Sequence, residues 1–299
     1  MFNRKNIAIV IPTLGNKIYL TKCLNSISKQ SILPSQVIVV TTGEKKIKLN
    51  YIKKLNIKII VSKFKNQVYQ RTLGLKYLSK NIKIILQLDD YVLLKRNSIK
   101  ELLISWNKAD NSVAGIGLNS DKKIPNSFLF HLLTFNLPIK EGKVLKNGFN
   151  TQYSNIKKEI NVDWLKGGLS SYKLKLVPSI FKRKFLFKNW SVCEDLAFSY
   201  NVKQKYNLLV VSKARVRILN KKKYLSNSEY FNREKIFSEH IKYFVLKNSG
   251  LSLIKYYYSI GIMSLFGILY NLVFMNFKQI SRYLGRLSGI FVSYKVKLN

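Results

Sequence analysis

Short continuous runs of aliphatic, β-branched residues alternate with helical periodicity through the first third of this chain, and that alternation restricts its fold more than any other feature. Ile7-Ala8-Ile9-Val10-Ile11 is apolar at every position, as a strand covered on both faces must be. Leu20, Cys23, Leu24 and Ile27 then recur at the spacing of one helical face. The pattern repeats, and it predicts strands over 37–40, 57–61, 82–88 and 113–118 and a helix over 67–78. Another helix is expected from Ser98, because Ser98 and Glu101 match a capping box and Leu102, Leu103 and Trp106 follow on one face. Such alternation predicts an α/β fold, with a mostly parallel sheet and helices on both faces. Ligands in such sheets bind beyond the carboxyl ends of the strands. Those ends are the turn that opens at Pro12-Thr13, the turn from Thr41 to Glu44, and Asp89-Asp90. No glycine-rich dinucleotide fingerprint follows the first strand, which argues against a nicotinamide dehydrogenase.

Charge matters here chiefly through its scarce acids. The 299 residues include 53 Lys and Arg against 14 Asp and Glu, a formal net charge of +39. That surplus attracts nucleic acid, anionic lipid or sugar phosphates. The cations are spread along the chain and no nucleic-acid motif accompanies them, so no specific nucleic-acid partner is expected. Adjacent acids in so basic a chain stand out. Asp89 and Asp90 close an apolar run, where they would repel each other and lose hydration; a hard divalent cation, Mg²⁺ or Mn²⁺, would relieve both costs. An acidic turn or helix cap is the alternative. Glu194-Asp195 also sits among apolar residues, as a general base or as the acidic first turn of a helix. Between the pairs, Trp164-Leu165-Lys166-Gly167-Gly168 offers a ring able to stack on a sugar and two glycines that permit close backbone approach, or else a tight turn beside a core tryptophan. Cys23 and Cys193 make neither a disulfide framework nor a zinc spacing, and a reducing, cytoplasmic compartment is expected.

Taken in order, these segments resemble the family 2 glycosyltransferases, inverting enzymes of GT-A fold that use nucleotide-sugars. The likeness runs over roughly residues 5–220: the first strand with Pro12-Thr13, Val37-Ile38-Val39-Val40, Gln70-Arg71-Thr72-Leu73-Gly74, Leu88-Asp89-Asp90, Val162-Asp163-Trp164-Leu165-Lys166-Gly167-Gly168, and Glu194-Asp195 before an aromatic helix. The resemblance implies that Pro12, Thr13, Thr42 and Glu44 border the nucleotide. It implies that Arg71 approaches the diphosphate, while Asp89 and Asp90 hold the ribose and the metal-bound diphosphate, with Asp90 the metal ligand. Trp164, Gly167 and Gly168 would form the acceptor side, and Asp195 would be the general base supported by Glu194. The implied cofactor is Mn²⁺ or Mg²⁺, and the implied partners are a nucleotide-sugar donor and a glycan or lipid-linked acceptor. The implied activity is hexosyl transfer in cell-surface polysaccharide or glycolipid synthesis.

Some positions depart from the family pattern. Thr41 and Thr42 stand where an acid commonly meets uracil, Tyr91 replaces the second acid of Asp-x-Asp, no histidine follows the later strand, and Asn201 stands where an arginine is common. Arg71 and Arg217 are candidates to neutralise the diphosphate instead. A transferase-like protein that only binds a nucleotide-sugar or a partner is the rival reading.

The texture changes near residue 225. Residues 232–247 read as an amphipathic helix, and 256–277 run without a charge, long enough to span a bilayer. Gly261, Ser264, Gly267 and Asn271 dilute that run, so an interfacial or re-entrant helix pair, or a soluble core helix, fits as well. Lys255, Lys278, Arg282 and Arg286 with nearby tyrosines would suit an anionic interface. The expected organisation is a GT-A domain over 1–225, with a nucleotide-sugar half at 1–118 and an acceptor half at 119–225, followed by membrane-associated helices over 226–299. The expected location is the cytoplasmic face of the inner membrane, peripheral or held by one C-terminal hydrophobic segment.

Overall fold

The computed structural model describes residues 1–42, 54–122, 126–182, 192–219 and 225–292. Four strands, β1 (Ile7–Thr13), β2 (Gln36–Thr41), β3 (Ile57–Val61) and β4 (Ile84–Leu88), form a parallel block in the spatial order β3-β2-β1-β4. Helix α1 (Lys17–Ser28) buries the four residues its periodicity singled out, Leu20, Cys23, Leu24 and Ile27. Each such side chain contributes about 1.5–3 kcal/mol when fully removed from water. Helix α2 (Gln67–Leu75) lies close on β1 and β2, because Gly74 leaves room: a Cβ there would come within 2.8 Å of Val10 and 3.0 Å of Val40.

Several expectations are corrected at this level. The first strand runs through Pro12-Thr13 rather than turning there. Pairing with β4 ends at Val10, so Pro12 sits where only β2 remains alongside, a position compatible with a residue lacking an amide proton. The capping box at Ser98 is not formed: Asn97 precedes the helix without a side-chain cap, and the Ser98 hydroxyl donates to the carbonyls of Lys95 and Arg215. The helix expected over 67–78 ends at Leu75.

Beyond β4 the parallel order gives way. The later elements are β5 (Val92–Leu94), α3 (Ser98–Lys108), β6 (Val113–Ser120), α4 (Phe128–Leu133), β7 (Ile160–Val162), β8 (Leu169–Lys173), α5 (Glu194–Lys203) and β9 (Asn207–Ile218). β8 inserts antiparallel between β4 and β6, and β9 runs parallel to β6 but antiparallel to β5 and β7. Parallel pairing needs a crossover that carries the chain back along the sheet. Among the described residues between β6 and β8 the one α-helix is α4, which is grouped with the second unit, and β8 enters the other way. The consequence is functional: Leu169 pairs with Leu88, which sets the glycines before β8 beside the acids after β4.

The chain divides into two compact units, residues 1–124 with 153–221 and residues 125–152 with 222–299. Residues 125–152, grouped by the sequence with the first domain, cluster with the C-terminal helices instead. Their aromatic Phe149 packs edge-on to Phe130 and at a tilt to Phe237, and so finds its apolar partners there. The second unit adds α6 (Asn227–Leu246), α7 (Leu253–Val273) and α8 (Phe277–Ile290). A capping box between Ser226 and Glu229 starts α6. α7 is long and apolar enough to cross a membrane. Arg282 and Arg286, expected to face lipid headgroups, instead bind the two oxygens of Glu234 on α6 at 3.1 and 2.7 Å.

Candidate active site

The acids at the end of β4 and the acids that open α5 meet at one arginine. Arg71 projects from α2 and is 1% exposed. Its Nη2 donates to Asp89 Oδ1 at 2.8 Å, and its Nη1 donates to Asp195 Oδ1 at 2.9 Å and to Glu194 Oε1 at 3.4 Å. Burial alone would push the guanidinium down in pKa, but Asp195, Asp89 and Glu194 outweigh it and hold the group above its ordinary value, so it stays charged. The sequence reading placed Arg71 at a diphosphate; the structure gives it to the carboxylates.

Asp89 is the hub on the strand side. Its Oδ1 also accepts from Gln67 Nε2 at 2.5 Å, and its Oδ2 accepts from the Tyr91 hydroxyl at 2.8 Å. Asp89 itself, then burial, raises the phenol above the usual tyrosine range, so Tyr91 is a neutral donor. The sequence did not single out Gln67, and it marked Tyr91 only as a replacement for an acid, not as a partner of Asp89. Gln67 and Arg71 lie four residues apart on one helix face, the spacing that brings two side chains to one place. Asp90 accepts from the Thr13 hydroxyl at 2.7 Å, which ties the end of β1 to the end of β4. Beneath them the Cys23 thiol is raised by burial and by Asp90 and Asp89, and is an unreactive neighbour.

On the helix side Glu194-Asp195 takes the place read for it as the acidic first turn of a helix. The pair forms the first turn of α5, where the helix dipole favours negative charge, and it faces the site. Cys193 before it adopts a left-handed backbone at φ 60° and caps no amide with its side chain. The Asp195 side chain is 27% exposed and that of Glu194 14%, so Asp195 is the carboxylate with most surface to offer a substrate.

Gly167 and Gly168 make the convergence possible. A Cβ at Gly167 would fall on the Asp195 carboxylate, and one at Gly168 on the Asp89 carboxylate. Trp164 is 7% exposed, with its ring 5.3 Å from that of Tyr153, so little of it remains for another ring. Pro12, Thr13 and Thr41 are buried at the strand ends and Thr42 is half-buried, while Glu44 lies outside the described residues. Arg217 pairs with Leu93 across β5 and β9 and lines a cavity of about 840 Å³ with Lys22, Lys29, Lys54, Lys95 and Arg96, away from the carboxylates described above.

The residues present fit a divalent cation only in a reduced form. Among the described residues no three metal-binding side chains come together, and the phenol of Tyr91 occupies Asp89 where a second acid would act. Asp90 remains as the protein carboxylate. Mg²⁺ is commonly held by one or two carboxylates plus substrate phosphates, so one acid suffices when a diphosphate brings the other oxygens. The electrostatics favour this arrangement: three acids share a single guanidinium, and an incoming diphosphate needs further positive charge there.

A family model described as Glycosyl transferase family 2 matches residues 8–161. No curated protein matches the chain in sequence. Solved structures match it in fold. S. aureus TarS 1–349, also solved in complex with UDP-GlcNAc, is 13% identical over 93% of this chain and 90% of its own, with a TM-score of 0.51. The mannosyltransferase PcManGT from Pyrobaculum calidifontis, in complex with GDP-Man and Mn²⁺, is 12% identical over 96% of this chain and 87% of its own, with a TM-score of 0.57. At such identities the likeness speaks for the GT-A fold alone.

Proposed function

Because the chain belongs to glycosyl transferase family 2, we propose that it transfers a hexosyl group, with inversion, from a nucleoside-diphosphate sugar to a glycan or lipid-linked acceptor in cell-surface glycan synthesis. The observation that carries this reading is the Arg71 knot, which brings a partly exposed Asp195 to the carboxyl ends of β1 and β4, where ligands of such sheets bind. Pro12, Thr13 and Thr42 border the donor, and the segment of Trp164, Gly167 and Gly168 borders the acceptor.

Asp195 takes the proton of the acceptor hydroxyl as its oxygen attacks the anomeric carbon. The bond from that carbon to the diphosphate oxygen breaks on the opposite face, and the nucleoside diphosphate departs with the electron pair. Arg71 fixes the Asp195 carboxylate by a charge-assisted bond and so sets the line of attack. Glu194 shares that guanidinium and keeps it in place. Asp90 would hold Mg²⁺ or Mn²⁺ with the donor's diphosphate, and the ion would supply neutralisation of the leaving group. The relatives named with UDP-GlcNAc and with GDP-Man and Mn²⁺ support this donor class and this ion. The apolar helix α7 and the basic chain support an acceptor met at the cytoplasmic face of the inner membrane.

Tyr91 favours one rival, a fold that binds nucleotide-sugar without turnover, since it removes an acid from the metal site. Donor hydrolysis and donor binding across UDP- and GDP-sugars, with Mn²⁺, with Mg²⁺ and with chelator, separate the two. Turnover of one donor is expected. Binding without turnover across the panel would establish the rival.

A further inference from the structure

Helix α7 is able to span a bilayer by length, about 31 Å at 1.5 Å per residue, yet its packing is that of a helix bound along one side. The residues it buries, Tyr256, Ser259, Ile260, Ser264 and Asn271, share one face. That face is committed within the second unit. The Tyr256 hydroxyl is 2.7 Å from that of Ser238 on α6, Ser259 accepts from Asn147 at 2.8 Å, and Gly267 lies against the ring of Tyr283 on α8. α8 in turn is clamped to α6, with Gly285 and Gly289 against the carbonyls of Phe231 and Lys235 and with Arg282 and Arg286 on Glu234. Drawing α7 across hydrocarbon would drag these ions with it or strip its polar face bare, and both are costly.

The opposite face is apolar and open. Ile254, Tyr258, Leu265, Leu269, Leu272 and Val273 form a stripe at helical spacing, and Val273 is 79% exposed. The stripe is widened from a distant part of the sequence. Tyr258 donates to the Leu133 carbonyl and stacks on Phe135, itself 81% exposed, beside the exposed Phe128, Leu129 and Leu132 of α4. Charge is sorted along α7. Lys146, Lys247 and Lys255 are exposed around its N-terminal end, where Ser252 donates to the Lys146 carbonyl, and no charged residue follows until Lys278.

We propose that α7 and α4 lie in the plane of a single leaflet of an anionic membrane, with the α7 stripe and the α4 aromatics in the acyl layer and Lys146, Lys247 and Lys255 at the headgroups, and that α7 does not cross. This rests on the membrane placement proposed above, and it decides between the spanning and interfacial forms of the 256–277 segment. Apolar area supplies the affinity and the lysines supply the preference for anionic lipid. Of the cations expected to do this from α8, Arg282 and Arg286 are bound to Glu234.

The test adds the full chain to preformed vesicles of phosphatidylglycerol and phosphatidylethanolamine, with a membrane-impermeant maleimide either outside or trapped in the lumen. Leu269→Cys and Met275→Cys report, and the partly exposed native Cys193 serves as the external control; both substituted positions are exposed, so folding is preserved. Outside reagent should label Leu269→Cys at least about tenfold more slowly with vesicles than without them, and lumenal reagent should label neither cysteine. Lumenal labelling of Met275→Cys means a spanning helix and overturns the proposal. Unslowed labelling of Leu269→Cys on protein that floats with vesicles means another surface binds lipid and also overturns it. Failure of the wild-type chain to float overturns the membrane placement itself. Donor hydrolysis in parallel samples without maleimide reports on the transferase reading separately.

Discussion

Replacing Gly167 by alanine asks the active-site geometry a question through a single methyl group. The new Cβ would come within 3.0 Å of all three carboxylate atoms of Asp195, a separation that real Cβ atoms do not tolerate. The backbone there leads straight into β8, whose five register pairs with β4 hold it, so the carboxylate is what yields. Moving it breaks the 2.9 Å bond from Arg71. A hydrogen bond to a charged group contributes about 1.5–3 kcal/mol, and a domain of roughly this size loses about 2–4 °C in Tm per kcal/mol. The kinetic effect is larger in proportion, because misplacing a reacting group by about 1 Å costs about 10²-fold in rate. The assay is kcat for donor turnover, with donor Kd by titration and Tm by calorimetry on the same preparation. The expected result is a kcat about 10²-fold lower, a Tm lower by several degrees and a donor Kd little changed. A kcat within a few-fold of wild type, at unchanged Tm, would refute the reasoning that Gly167 sets the position of Asp195.

Arg71→Met leaves Asp89, Glu194 and Asp195 facing one another without a cation, and about 3–5 kcal/mol of stability should go with it, read as a lowered urea midpoint. Arg71→Lys should recover part of the stability but little of the activity, since one ammonium cannot reproduce the fork. Tyr91→Asp restores an acid beside Asp89 and should raise the activation of donor turnover by Mn²⁺; an unchanged metal dependence would place the cation elsewhere. Gly285→Val drives a side chain into the Phe231 carbonyl and should separate α6 from α8, lowering the melting temperature of the second unit while donor binding in the first persists.

The parallel half of the fold was legible because each of its elements announces itself locally. The face of α1 is complete in four residues, and the strand at 57–61 has the same bounds in sequence and structure. The antiparallel half was not legible, because strand direction depends on whether a helix returns the chain across the sheet, a property of the connection rather than of β8. The capping box at Ser98 failed for a similar reason: the hydroxyl was claimed by carbonyls, one of them far away on β9. In the site, both acidic pairs and both glycines could be named because acids are rare in this chain and Gly167-Gly168 is its one pair of adjacent glycines. Their common partner could not be placed, because a buried arginine shared by three acids is made only when α2, β4 and α5 come together. The same holds for Arg282 and Arg286. Their sequence neighbourhood is that of a membrane flank, and only α6, some fifty residues away, supplies the Glu234 that binds them.

The central claim is that Asp195, set by Arg71, removes the acceptor proton, and Asp195→Asn tests it most directly. The amide keeps the shape, the contact with Gly167 and an oxygen for Arg71, but takes away the base. The measurement is glycosyl transfer, followed as nucleoside diphosphate released in the presence of acceptor, alongside donor Kd. The account predicts a rate about 10²–10⁴-fold lower with donor affinity retained. Transfer at the wild-type rate in Asp195→Asn would contradict it.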